Sequence, residues 1–124
     1  MPITVDTRLA RGIRTFALLL VAAALLLRTW QYSADLSLWL DEIAVARNVI
    51  ERPLARLLLE PLDYDQTAPK GFLLAEFAAV RLAGPSEYAL RVWPWLASMA
   101  SVVLFWRLAS RVLPGLASLA ALLA

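Results

Sequence analysis

The chain has no cysteine and no histidine. The first absence removes disulfide staples and thiolate metal sites, and the second removes the usual zinc constellations and every triad built on imidazole. Charge is also sparse, at 18% of 124 residues with a net charge of +2. Any chemistry must therefore rest on carboxylates, Arg, Lys, Tyr or hydroxyls. The chain is instead 61% hydrophobic with a mean hydropathy of +0.68, too apolar for an ordinary soluble domain of this length. The class expected is an all-α integral membrane protein. Arginines border the apolar runs, a pattern suited to lipid headgroups, and no nucleic-acid motif is present.

Residues 1–12 are polar and basic, with Arg8 and Arg11, and read as a cytoplasmic N-terminus. Residues 13–32 hold the charge-free run Thr15 to Leu27, with Arg28 able to snorkel, and read as a first transmembrane helix. A cleaved signal peptide is the competing reading. The only small-residue site, Ser33-Ala34, lacks the small-x-small form, which favours an uncleaved anchor. Residues 33–69 are acid-rich and read as an external loop with juxtamembrane helices, one from about Asp41 to Arg52 and one after Pro53. Leu54, Leu57, Leu58 and Leu59 would let the second of these lie in the membrane interface.

Residues 70–83 read as a second transmembrane helix, stopped by Gly84-Pro85. Its Glu76 should face the bundle and either pair with Arg91 or Arg107 or take a proton. Ser86 is placed to cap the next helix, and Glu87 with Arg91 forms an i,i+4 pair at its start. That third helix covers 87–112, with Trp93, Trp95 and Trp106 as interface anchors and Ala97 and Ser101 as a small-residue contact face. Residues 114–124 are too few to span and read as the start of a cut fourth helix, so the chain is expected to be the N-terminal portion of a larger protein. Two crossings after the external loop would leave Arg107 and Arg111 outside, against the positive-inside preference; a re-entrant 71–83 would reverse that parity.

The candidate site begins at Asp41-Glu42, two adjacent carboxylates at the start of a short helix beside a membrane surface. Phased at about 100° per residue, Val45, Ala46, Val49, Ile50 and Leu54 fall on one arc, and Arg47, Asn48 and Glu51 on the other. Asp41 falls with the polar arc and Glu42 with the apolar one. A polar ligand would thus meet Asp41, while Glu42 needs a partner. The competing reading makes Asp41 a helix cap and Glu42 a dipole complement. Asp63-Tyr64-Asp65 has the D-x-D form that can hold a divalent ion, with solvated loop acids as the alternative. Lys70 can meet a phosphate or snorkel to headgroups.

The order of these features resembles a known family. Ser37-Leu38-Trp39-Leu40-Asp41-Glu42 with Arg47-Asn48, then Leu62-Asp63-Tyr64, Ala68-Pro69, Gly71-Phe72-Leu73, and Gly84-Pro85-Ser86-Glu87-Tyr88-Ala89-Leu90-Arg91 with Pro94 are similar to the N-terminal part of the polytopic C-type (GT-C) glycosyltransferases. The nearest likeness is to bacterial relatives of protein O-mannosyltransferases and of the lipid A aminoarabinose transferase. The resemblance covers the chain from about Ile13. It implies the N-terminal transmembrane helices of a GT-C fold in a bacterial cytoplasmic (inner) membrane. The activity implied is inverting sugar transfer from a polyprenyl-phosphate donor to a lipid, glycan or protein acceptor at the external face.

On that resemblance Asp41 is the general base and Glu42 the second member of the pair. Lys70 and Arg47 are candidate phosphate contacts, and Asp63, Tyr64 and Asp65 are candidate substrate contacts. The local Ala-Pro-Lys-Gly differs from the Lys-Pro-Pro of the aminoarabinose branch. No cofactor is expected, with a divalent metal at Asp63 and Asp65 left open. Readings from other classes are a noncatalytic membrane subunit or scaffold, and a transporter fragment in which Glu76 is the functional group.

Overall fold

The computed structural model describes residues 7–34 and 37–123. All regular elements among them are helical: α1 (Thr7–Ser33), α2 (Leu40–Glu51), α3 (Leu54–Leu59), α4 (Lys70–Ala83), α5 (Glu87–Val112) and α6 (Gly115–Leu123). The chain divides into two compact units, residues 31–96 and the pair of segments 1–30 with 97–124.

Among the described residues two helices, α1 and α5, are long and apolar enough to cross a membrane. Only 11% of the α1 window and 6% of the α5 window are buried within the protein, so neither helix is a soluble core helix whose apolar side is already covered. Their Leu, Ala and Val content supplies both propensity and a hydrocarbon-compatible surface. With 27 and 26 residues they are roughly 40 Å long, more than the hydrocarbon thickness. Helix α1 begins at Thr7, taking in the arginines expected to precede the span. The 14 residues of α4 rise only about 21 Å, so α4 falls short of the length a perpendicular span needs.

In the unit of residues 31–96, α2, α3, α4 and the first turns of α5 enclose a core of Val49, Leu57, Leu73, Val80 and Ala89, with Val45, Leu58, Phe77 and Leu90 packed against it. Leu57 is 1% exposed. The interfacial role expected for the leucines of α3 therefore gives way at Leu57, which fills the protein core, while Leu59 remains outside. The Trp93 indole N–H donates to the Ala75 carbonyl at 2.6 Å, joining α5 to α4. Tyr32 stacks on Trp95 at 5.0 Å and meets Tyr88 edge-on at 5.6 Å. The Tyr32 hydroxyl donates to the Tyr88 carbonyl at 3.0 Å, and the Tyr88 hydroxyl to the Ser33 carbonyl at 3.4 Å. Hydroxyls and rings together fasten the end of α1 to the start of α5.

Helix boundaries follow local chemistry. Ser86 accepts the Ala89 N–H at 3.2 Å, the side-chain cap expected of it at the start of α5. Gly84 ends α4 at φ 84°, ψ 167°, a region essentially restricted to glycine. The expected Glu87–Arg91 pair is absent among the described ion pairs. Arg91 instead approaches Glu42 at 3.9 Å, a tertiary partner winning over the local one.

In the other unit, α6 lies close to α1: a Cβ built on Gly115 would stand 3.2 Å from Ile13 Cδ1. A side chain at 115 would require the Ile13 side chain to shift by a few tenths of an ångström. Ser101 donates its hydroxyl back to the Ala97 carbonyl at 2.8 Å, and both residues are exposed.

Candidate functional site

The site is assembled on α2. Its N-cap is Trp39, with Leu40, Asp41 and Glu42 forming the first turn. Glu42 accepts the Trp39 backbone N–H at 3.0 Å, the backward half of a capping box. Capping therefore belongs to Glu42 and not to Asp41, contrary to the competing reading of the pair. Glu42 finds the partner its phasing demanded, first in that N–H and then in Arg91. Asp41 is exposed, with no hydrogen bond or ion pair among the described residues.

The polar arc of α2 is partly a structural seam. Asn48 was expected on the solvent side but is 2% exposed. Its amide donates to Ala44 O at 2.8 Å and Asp63 O at 3.3 Å, and its Oδ1 accepts the Asp63 N–H at 2.9 Å. One turn on, Arg52 donates from Nη1 to Pro61 O at 2.7 Å and from Nε to Asp63 Oδ2 at 3.2 Å, while Nη2 lies 2.5 Å from Oδ1. Asn48 of α2 and Arg52, the residue that ends it, thus clamp the 61–63 backbone, and Arg52 engages both carboxylate oxygens of Asp63. The guanidinium holds the Asp63 carboxyl below the usual carboxylate range. Sequence reading missed Asn48 and Arg52. Their spacing of four residues on one face of α2 was visible, but nothing local named the loop that would meet them.

Immediately after the clamp, Tyr64 and Asp65 take left-handed backbone conformations, with φ of 66° and 52°. For a bulky tyrosine this is an outlier, sustained where surrounding contacts fix the chain. Arg47 lies 5.3 Å from the centroid of the Tyr64 ring and pairs with Glu51 at 3.0 Å. That carboxylate raises the Arg47 guanidinium above its ordinary value. Asp65 is exposed, and Lys70 is exposed as the first residue of α4.

Asp41, Asn48 and Arg52 are seven and four residues apart, placing the latter two within about 20° of Asp41 around α2. The clamped loop covers the stripe at Asn48 and Arg52, leaving Asp41 uncovered roughly 10 Å further along the axis. The arrangement offers an accessible carboxylate at Asp41, without a hydrogen bond or ion pair among the described residues, on the helix that braces the polar loop. That suits accepting a proton from a hydroxyl. Of the residues read as candidates, Arg47 and Tyr64 are brought into contact, and Asp63 is committed to Arg52.

Glu76 is 2% exposed, and neither carboxyl oxygen has a hydrogen-bond partner among the described residues. The ion pair expected for it with Arg91 is not formed; the nearest carboxylate to Arg91 is that of Glu42. No family model, curated protein or solved structure matches the chain.

Proposed function

We propose that this chain contributes the catalytic base of a membrane glycosyltransferase that moves a sugar from a polyprenyl-phosphate carrier to an acceptor hydroxyl outside the cytoplasmic membrane. The observation that carries this reading is the division of labour at the Asp-Glu pair: Glu42 closes the helix cap, and Asp41 stays exposed and unengaged. In this reaction Asp41 takes the acceptor proton as the hydroxyl oxygen bonds to the anomeric carbon. The carbon–oxygen bond to phosphate breaks, its electron pair leaves with the polyprenyl phosphate, and the configuration inverts.

Lys70 and Arg47 are the cations offered to the phosphate, and Lys70 is the less encumbered, since Arg47 already holds Glu51 and Tyr64. The resemblance assigns the rest of the carrier tunnel to further helices. The test is sugar transfer by membranes carrying the protein, using a range of polyprenyl-phosphate-linked donors. An inverted product supports the reading, and absence of transfer from every donor moves the weight to a scaffold. A second reading, transport, is favoured by Glu76, a buried acid without a partner in an apolar setting. Solute or ion flux that disappears in Glu76→Gln would select it.

A further inference from the structure

We infer that Arg11, Arg14, Arg107 and Arg111 form one basic surface, at the paired ends of α1 and α5, that docks on anionic phospholipid headgroups on a single side of the membrane. This rests on α1 and α5 as membrane spans and not on the glycosyl-transfer reading. Every residue that carries it belongs to the unit of 1–30 with 97–124.

Two observations fix the direction of α5 against α1. A Cβ on Gly115, three residues after the end of α5, would stand 3.2 Å from Ile13, in the second turn of α1. Further along, Val21 and Ala24 of α1 line one crevice with Ser101 and Val102 of α5. Val21 lies eight residues after Ile13, and Val102 lies ten before Val112, so each helix has climbed about 12–15 Å from that common end. The helices are therefore antiparallel, and the end of α5 lies beside the start of α1.

The charges follow that geometry. This unit carries no acid among its described residues, and all of its arginines except Arg28 lie at the one end. Arg11, Arg14, Arg107 and Arg111 are exposed, and they border the charge-free runs that begin at Thr15 and end at Trp106. A cationic surface with no carboxylate to neutralise it, at the depth where both spans leave the hydrocarbon, matches anionic phosphodiester headgroups. Joining Arg107 and Arg111 to Arg11 and Arg14 also removes the conflict with the positive-inside preference that three crossings create. Helices α1 and α5 cross, and the short α4 does not.

The absence of cysteine makes the topology test direct, because any introduced thiol is unique. In oriented membrane vesicles, an impermeant maleimide should reach Thr7→Cys and Val112→Cys from one face and Asp65→Cys from the other. Labelling of positions 7 and 112 from opposite faces overturns the inference. The lipid test compares spin-labelled phosphatidylglycerol with spin-labelled phosphatidylcholine around the reconstituted protein. Wild type should hold phosphatidylglycerol in preference, Arg107→Lys/Arg111→Lys should keep that preference, and Arg107→Gln/Arg111→Gln should lose a large part of it. No preference in wild type, an unchanged preference in the glutamine variant, or its loss in the lysine variant contradicts the basic surface.

Discussion

Replacing Asn48 with alanine removes three hydrogen bonds at a residue that is 2% exposed, two of them to Asp63. The Ala44 carbonyl retains its helical donor, so its loss is small. The Asp63 N–H is different, since it gives up a 2.9 Å acceptor in a part-buried place with no alternative among the described residues. Leaving such a group unsatisfied costs about 1–3 kcal/mol. Because 1.4 kcal/mol is a factor of ten, local opening of the loop should become roughly 5- to 150-fold more frequent. Backbone hydrogen exchange reads this directly: the Asp63 amide should lose protection by that factor in Asn48→Ala, while amides at the centre of α5 should change little. Unchanged exchange at Asp63 would refute the clamp, and a uniform loss throughout the chain would show that Asn48 supports the whole unit.

Two further predictions concern the other ionisable groups. Arg52 lowers the Asp63 carboxyl, so the folded value lies below the unfolded one; the pair's contribution is complete above the unfolded value near 3.9 and is lost as pH falls through the lower folded value. Protection of the 62–65 amides, taken relative to their intrinsic exchange rate at each pH, should therefore hold through the ordinary carboxylate range and fall only at more acid pH, whereas protection that falls as pH rises from 5 to 8 would contradict this sign. Glu76→Met replaces two unpartnered buried oxygens with apolar volume and should raise resistance to denaturant by about 1–3 kcal/mol; a loss of stability would reveal a partner for Glu76.

Much of the helical plan was readable because its signals are local. Ser86 caps α5, Gly84 stops α4, and the uncharged run after Thr15 forms a helix for reasons contained within a few residues. The site was harder to read because its contacts are not local. Asn48 carries a polar side chain at a polar phase, and only the arrival of Asp63, fifteen residues later, buries it. Arg91 faced a choice between Glu87 on its own helix and Glu42 on another, which no helical periodicity decides. The division of the Asp41-Glu42 pair was partly legible: Glu42, three residues after Trp39, has the spacing of a capping box, but tryptophan is an uncommon residue at the cap and hid the signal. Leu57 shows the limit of composition, because a short leucine-rich helix suits a membrane interface and a protein core equally well until its neighbours are placed.

The most direct measurement is turnover of sugar transfer by membranes carrying Asp41→Asn against wild type, at matched protein level. Asparagine keeps the size and first-turn position of a side chain that forms no hydrogen bond or ion pair among the described residues, so folding should be preserved. Loss of a general base predicts a fall of about 10²-fold or more. Wild-type turnover from Asp41→Asn would contradict the catalytic assignment.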